Sequence, residues 1–174
     1  FCQTLAYPAR CISYAASSYG GFHDGIEDSE LYLRFIQLAT FSPIFLLAST
    51  KGKYYKREPW KWDYHTFVIA REFMCFRQKL VPYLYTESYR FTSQGVPLIE
   101  PVYYRYPELY DDELYCNEYF LGSSLFVCPI LHKKEDIMKR SIHRFFLPEG
   151  IWYDLYSGKK FLGNKKYVLF YSDE

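Results

Sequence analysis

The order of apolar and polar positions splits the chain into two regions of different character. In the first, apolar residues recur at helical spacing. Leu31, Phe35, Leu38 and Ala39 mark one face of a helix predicted over 30–40. Asp28 or Ser29 is placed to cap its first turn. Phe41-Ser42-Pro43-Ile44-Phe45-Leu46-Leu47-Ala48 is then a continuous apolar run, the pattern of a strand buried on both faces in a parallel sheet. A polar loop over 49–65 leads to a longer helical pattern over 66–93. Ile69, Phe73, Phe76, Leu80 and Tyr83/Leu84 line one side of it, while Arg71, Gln78 and Lys79 face elsewhere. Pro82 is expected to kink this helix, and Gly95 with Pro97 to end it.

After Pro97 the period shortens. Short apolar segments alternate with turn signals: Leu98–Tyr106, Ser124–Ile130, Ile142–Leu147, Ile151–Tyr156 and Tyr167–Tyr171. Pro148-Glu149-Gly150 and Ser157-Gly158-Lys159 read as turns between strands. The pattern predicts an antiparallel meander. Residues 1–96 and 97–174 are therefore expected to be separate parts, the first α/β and the second all β.

Length, charge and composition narrow this picture. A length of 174 residues suits one domain, or the join of two parts of a larger protein. The net charge of +1 gives no long-range pull toward nucleic acid or a membrane surface, so neither is expected as a partner. Charges and prolines break every apolar run well before the ~18 residues of a membrane span. The chain opens at Phe1 and stops just after the predicted strand Tyr167–Tyr171, so a fragment is expected. The five Cys are odd in number and widely spaced, which favours reduced thiols and a cytoplasmic setting over disulfides or zinc. No cofactor fingerprint and no metal spacing is present, so neither a cofactor nor a metal is expected.

Candidate chemistry is thin. Glu27-Asp28-Glu30 and Asp111-Asp112-Glu113 bring carboxylates together, which acid–base catalysis can use. The first also suits the opening turn of a helix and the second a solvated turn, and these structural roles are favoured. The loop around Lys51–Trp62 mixes bases with aromatics, a pattern shared by single-strand nucleic-acid sites and sugar-stacking sites. Inward packing of Trp60 and Trp62 with solvated lysines explains it more simply. Tyr103, Tyr104 and Tyr106 alternate about Arg105 on a predicted strand and suit cross-strand packing. The aromatic share of 22% is the oddest feature of the composition.

Several stretches together resemble glycoside hydrolase family 31, the α-glucosidase and α-xylosidase family, and they occur in that family's order. Gly20-Gly21-Phe22 resembles the end of its Asp-Ile-Gly-Gly-Phe motif, and Glu30–Gln37 its barrel helix. Phe41-Ser42-Pro43 resembles its next strand, and Arg57-Glu58-Pro59-Trp60 the loop after that strand. Pro82-Tyr83-Leu84-Tyr85 with Gly95-Val96-Pro97 resembles its long helix and the exit from it. Tyr119–Pro129 and Leu147–Asp154 resemble the strand and hairpin beyond the barrel.

The resemblance implies the C-terminal fragment of a (β/α)8 TIM barrel over 1–96, followed by an incomplete antiparallel β domain over 97–174. A barrel needs about 250 residues, so only its last units fit here. The family's nucleophile and acid/base carboxylates lie on earlier strands, and no catalytic residue is assigned to this chain. Ser18 and Tyr19 stand where the motif has its Asp and Ile, which an internal loss of several residues could also explain. Leu46 and Ala48 stand where the family has an Arg and a sugar-binding His, and Glu100 where it commonly has Arg. Of the mapped pocket positions only Phe22 is retained, as a substrate-binding residue. A complete site would take an α-linked oligosaccharide or glycoside by the retaining mechanism. The isolated chain is expected to be inactive, folded poorly, and prone to aggregate through strand 41–48. The alternatives are a degenerate non-catalytic remnant and a carbohydrate-binding protein.

Overall fold

A computed structural model describes residues 27–47 and 57–172. Helix α1 spans Ser29–Thr40 and starts at Asp28, whose carboxylate accepts from Leu31 N. Helix α2 spans Tyr64–Gln94. Asp63 caps it through Thr66 N and Thr66 Oγ1, and Gly95 closes it in the left-handed conformation at φ 72°. The helix runs on through Pro82. The two helices pack along Tyr32, Leu33, Phe35, Ile36 and Ala39 of α1 and Ile69 and Ala70 of α2. Leu31, predicted on the buried face of α1, is instead exposed. The buried stripe lies one position further round, because α2 and Trp62 cover the side that carries Tyr32 and Ile36.

The predicted strand over 41–48 does not form within its described residues, 41–47. Its early carbonyls are taken elsewhere. Arg77 of α2 donates to the carbonyl oxygens of Thr40, Ser42 and Pro43. A guanidinium holding the C-terminal end of α1 leaves those carbonyls unavailable to a neighbouring strand. Ile44 and Leu46 are exposed as a result of the same path.

The second half contains three small antiparallel sheets rather than one meander. Strands β1 (Ile99–Pro101), β2 (Tyr119–Leu121) and β3 (Leu125–Val127) form the first. Strands β4 (Ser141–Leu147) and β7 (Lys165–Tyr171) pair over seven residues, from Ser141↔Tyr171 to Leu147↔Lys165. Between them in sequence, β5 (Ile151–Tyr153) and β6 (Lys160–Leu162) make a hairpin. β1 is far shorter than the predicted Leu98–Tyr106. After Pro101 the chain turns through two short 3-10 helices, Val102–Tyr104 and Pro107–Leu109, so Tyr103, Tyr104 and Tyr106 are not strand residues. Among the described residues no helix is long and apolar enough to cross a membrane.

Candidate functional site

The best-built constellation lies where α2 meets the first sheet. Leu80 and Leu84 of α2 bury against Leu98, Ile99, Tyr119 and Leu121. The polar groups at this joint are matched across it. Tyr83 Oη donates to Leu121 O at 2.7 Å and accepts from Ser124 N at 3.1 Å. Glu87 is buried; it accepts from Ser123 Oγ through one oxygen and pairs with Arg90 through the other. The β2–β3 turn fits under these side chains because Gly122 carries no Cβ: one built there would sit 2.5 Å from Glu87 Cγ and 2.6 Å from Tyr83 Oη. Tyr119 Oη reaches Phe41 O, which ties β2 to the exit from α1. α1, α2 and the first sheet are thus held as one body by tyrosine hydroxyls, one carboxylate and one guanidinium.

The other described carboxylates also hold structure. Asp28 and Asp63 cap helices, and the hydrogen bonds this brings hold both acids below the usual carboxylate range. Glu30 is buried and accepts from Lys134 N. Glu100 and Arg105 form a two-pronged pair at 2.7 and 2.8 Å, with the guanidinium also over the Phe120 ring. Asp112 accepts from Leu114 N and faces Lys166. Asp154 organises the turn through Tyr156 N, Ser157 N and Ser157 Oγ. Glu118 accepts from Phe146 N, and burial pushes its carboxyl up to about 9.

The predicted site residue Phe22 lies outside the described residues, as do Ser18, Tyr19 and Ala48. Leu46 is 48% exposed. Trp62 stacks on Tyr32 with ring centroids 4.5 Å apart, as inward packing predicts, but Trp60 is 70% exposed. Tyr103 packs edge-on to Tyr104 and Tyr110, and Tyr106 to Phe146. Among the described residues no group of three or more His, Cys, Asp or Glu converges as a metal site would require. A larger open trough of about 970 Å3 runs between the helices and the sheets, walled by Phe73 and Phe76 on one side and Phe145, Phe161 and Trp152 on the other. Arg77, Glu87 and Glu118 organise the fold without any local pattern that marks them. A lone Glu at the head of the apolar run Tyr119-Phe120-Leu121 was the one available signal.

Two family models match the chain nearly end to end. The glycosyl hydrolases family 31 TIM-barrel domain matches residues 3–87, and the glycosyl hydrolase family 31 C-terminal domain matches 95–173. The chain belongs to glycoside hydrolase family 31. Among family 31 relatives, the neutral alpha-glucosidase AB of Dictyostelium discoideum is 31% identical over 151 residues, 83% of this chain and 15% of that protein. The probable glucan 1,3-alpha-glucosidase of rice is 27% identical over 165 residues, 94% of this chain and 17% of that protein. The cycloalternan-forming enzyme of Listeria monocytogenes, solved with a pentasaccharide substrate, superposes with a TM-score of 0.86 at 25% identity. That match covers 98% of this chain and 16% of the enzyme. A family 31 α-xylosidase from a soil metagenome shares the fold, with a TM-score of 0.82 at 22% identity, over 98% of this chain and 28% of its own. The chain thus spans about a sixth of the length of these curated relatives. Its fold is a segment of the family 31 TIM barrel followed by the family's C-terminal β domain.

Proposed function

We propose that this chain is the structural joint of a family 31 α-glucosidase-like hydrolase and catalyses no glycoside hydrolysis by itself. One observation carries the reading: the carboxylates of Asp28, Glu30, Asp63, Glu87, Glu100, Asp112, Glu118 and Asp154 are each engaged in a cap, a turn, an ion pair or a buried hydrogen bond. Retaining hydrolysis needs one carboxylate free to attack the anomeric carbon and a second free to protonate the leaving oxygen, about 5–5.5 Å apart. The Tyr83–Glu87–Gly122 latch supports the positive half of the reading, because it fixes the barrel segment against the β domain. The substrate class of the complete enzyme is proposed as α-linked glucosides and oligosaccharides, in line with what the relatives are named for. A cytoplasmic location belongs to the same proposal; among the described residues the free thiols of Cys75 and Cys128 agree with a reducing compartment.

The test is an assay of the purified chain on 4-nitrophenyl α-glucoside and on isomaltose. The expected result is release no faster than buffer alone. Turnover that co-purifies with the chain through successive columns overturns the proposal. A degenerate remnant is the second reading, favoured by the apolar Leu46 at a half-exposed position where family resemblance places a cation. Supplying the rest of a relative's barrel in trans separates the two: restored hydrolysis supports the joint, and its failure despite stable association supports the remnant.

A further inference from the structure

The β4–β7 pair has two edges, and only one of them is covered. In an antiparallel ladder both main-chain groups of a residue point either to the partner strand or away from it. On β4, Phe146 N donates to Glu118 Oε1 and Ile142 O accepts from His132 Nε2, each at 2.9 Å. Positions 142, 144 and 146 therefore turn their main-chain groups away from β7, and a side chain already holds each end of that edge. Their ladder partners Phe170, Val168 and Lys166 turn theirs outward on the far side of β7. β7 has no second neighbour in its sheet, and among the described residues no main-chain hydrogen bond meets that edge. Val168 and Phe170 are each 53% exposed beside it. An open edge of this kind is a template for another strand.

The sequence of the strand selects its partner. Lys165-Lys166-Tyr167-Val168-Leu169-Phe170-Tyr171-Ser172-Asp173-Glu174 has its cations at one end and its acids at the other. Asp173 and Glu174 lie outside the described residues and enter only as charges of the sequence. Laid antiparallel on itself about Leu169, the segment is self-complementary. Tyr167 meets Tyr171, Val168 meets Phe170, and Lys165 meets Asp173. The outward main-chain groups of 168 and 170 then face each other, so each such pair can exchange two hydrogen bonds. We propose that a second copy of this chain occupies the edge, β7 against β7 across a two-fold axis, giving a four-stranded sheet in the order β4–β7–β7–β4. Lys166 is turned to Asp112 and the Tyr115 ring of its own chain, so the exposed Lys165 is the cation left for the partner. Arg144 stands opposite Val168 on β4. The two copies of Arg144 would be three strand spacings apart, about 14 Å, beyond the ~8 Å over which charges act in physiological salt. A neutral foreign strand would leave Lys165 unanswered, and a parallel copy would set Lys165 beside Lys165. The contact is isologous, and because the β4 edge is covered, addition to this sheet stops at two chains.

Sedimentation of the purified chain over a concentration series tests the stoichiometry: one chain is expected at low concentration and two at high. Hydrogen exchange tests the edge, and the Val168 and Phe170 amides are expected to slow by about tenfold or more as the dimer fills. Lys165→Glu and Asp173→Lys each put like charges at both ends of the interface, and each is expected to weaken the dimer about tenfold. An equimolar mixture of the two variants restores opposite charges at both ends and is expected to pair one to one with about the strength of the wild type. A single chain at every concentration overturns the proposal, and so does growth past two chains. Association that leaves the Val168 and Phe170 amides unprotected overturns it in favour of contact through the trough. A mixture no tighter than either variant alone overturns the antiparallel pairing. If a variant fails to fold, the mass and amide protection of the wild type decide it alone.

Discussion

At the scale of single residues, Gly122 is where the two regions touch most tightly. Its φ of 65° favours glycine, and the space a Cβ would need is filled by Glu87 and Tyr83. Gly122→Ala is expected to cost about 2–4 kcal/mol, overpacking and backbone strain together, read as a fall in the urea midpoint. Tyr83→Phe keeps the ring and removes only the hydroxyl bonds to Leu121 and Ser124. It should cost about 1–2 kcal/mol, and a neutral result would show that the latch contributes nothing. His143 supplies a third prediction. Its folded value near 4 lies below the unfolded 6.5, so folding stability is present above 6.5 and is lost as pH falls toward 4. Glu118 runs the other way. Raised to about 9 from 4.5, it gives stability that is full below 4.5 and is lost as pH rises to 9. Between about 4.5 and 6.5 the two slopes offset each other. In His143→Phe only the Glu118 slope remains, so the folding constant should rise about tenfold for each pH unit lowered from about 6.5 to 5. Denaturant titrations at several pH values check it, and a flat profile in the variant contradicts the raised Glu118 carboxyl.

At the scale of elements, the helices show how local chemistry sets boundaries. Asp63 accepts from both Thr66 N and Thr66 Oγ1, so Asp63→Ala should cost about 1 kcal/mol and fray the first turn of α2, seen as a small loss of helical circular dichroism. These helices were legible in the sequence because caps, period and the closing Gly95 are local signals. Strands β3, β4, β5 and β7 were legible because apolar residues stand there between turn signals. β2 is buried at all three positions, and β6 is three residues long, so neither carries an alternation to read. The run from Phe41 was misread for a different reason. Apolar content says that a segment is buried in part, not where its carbonyls go, and here Arg77, some 35 residues away, takes them. The latch was invisible for the same cause: Tyr83, Glu87 and Gly122 are ordinary residues until α2 is laid against the β2–β3 turn. The family motifs did name the right stretches, Pro82–Tyr85 and Tyr119–Pro129, although nothing in them says that their shared task is to face each other.

At the scale of the whole molecule, the balance between the latch and the trough decides how the chain behaves in solution. Three buried clusters are closed, but the trough of about 970 Å3 leaves aromatic rings from α2 and from the β4–β7 and β5–β6 pairs facing open space. Apolar surface of that extent binds hydrophobic dyes and partners. The expected poor behaviour of the chain thus has a different source from the one read in the sequence: the trough, and not a strand over 41–48. Strand β7 adds a second apolar surface at Val168, 53% exposed, beside an edge with no partner strand among the described residues. The two surfaces can be separated by experiment. The chain should enhance anilinonaphthalene sulfonate fluorescence in native buffer and should scatter light on concentration. Val168→Lys should reduce the scattering, because charge on an edge strand opposes pairing with another copy. It should leave the dye signal nearly unchanged, because the trough is walled by other residues. It also sets a second cation opposite Arg144 across the β4–β7 pair, so the stability should fall by up to about 1 kcal/mol. A monomer that melts sharply without binding dye would mean that the trough closes in solution, and the latch would then be joined by a second aromatic core.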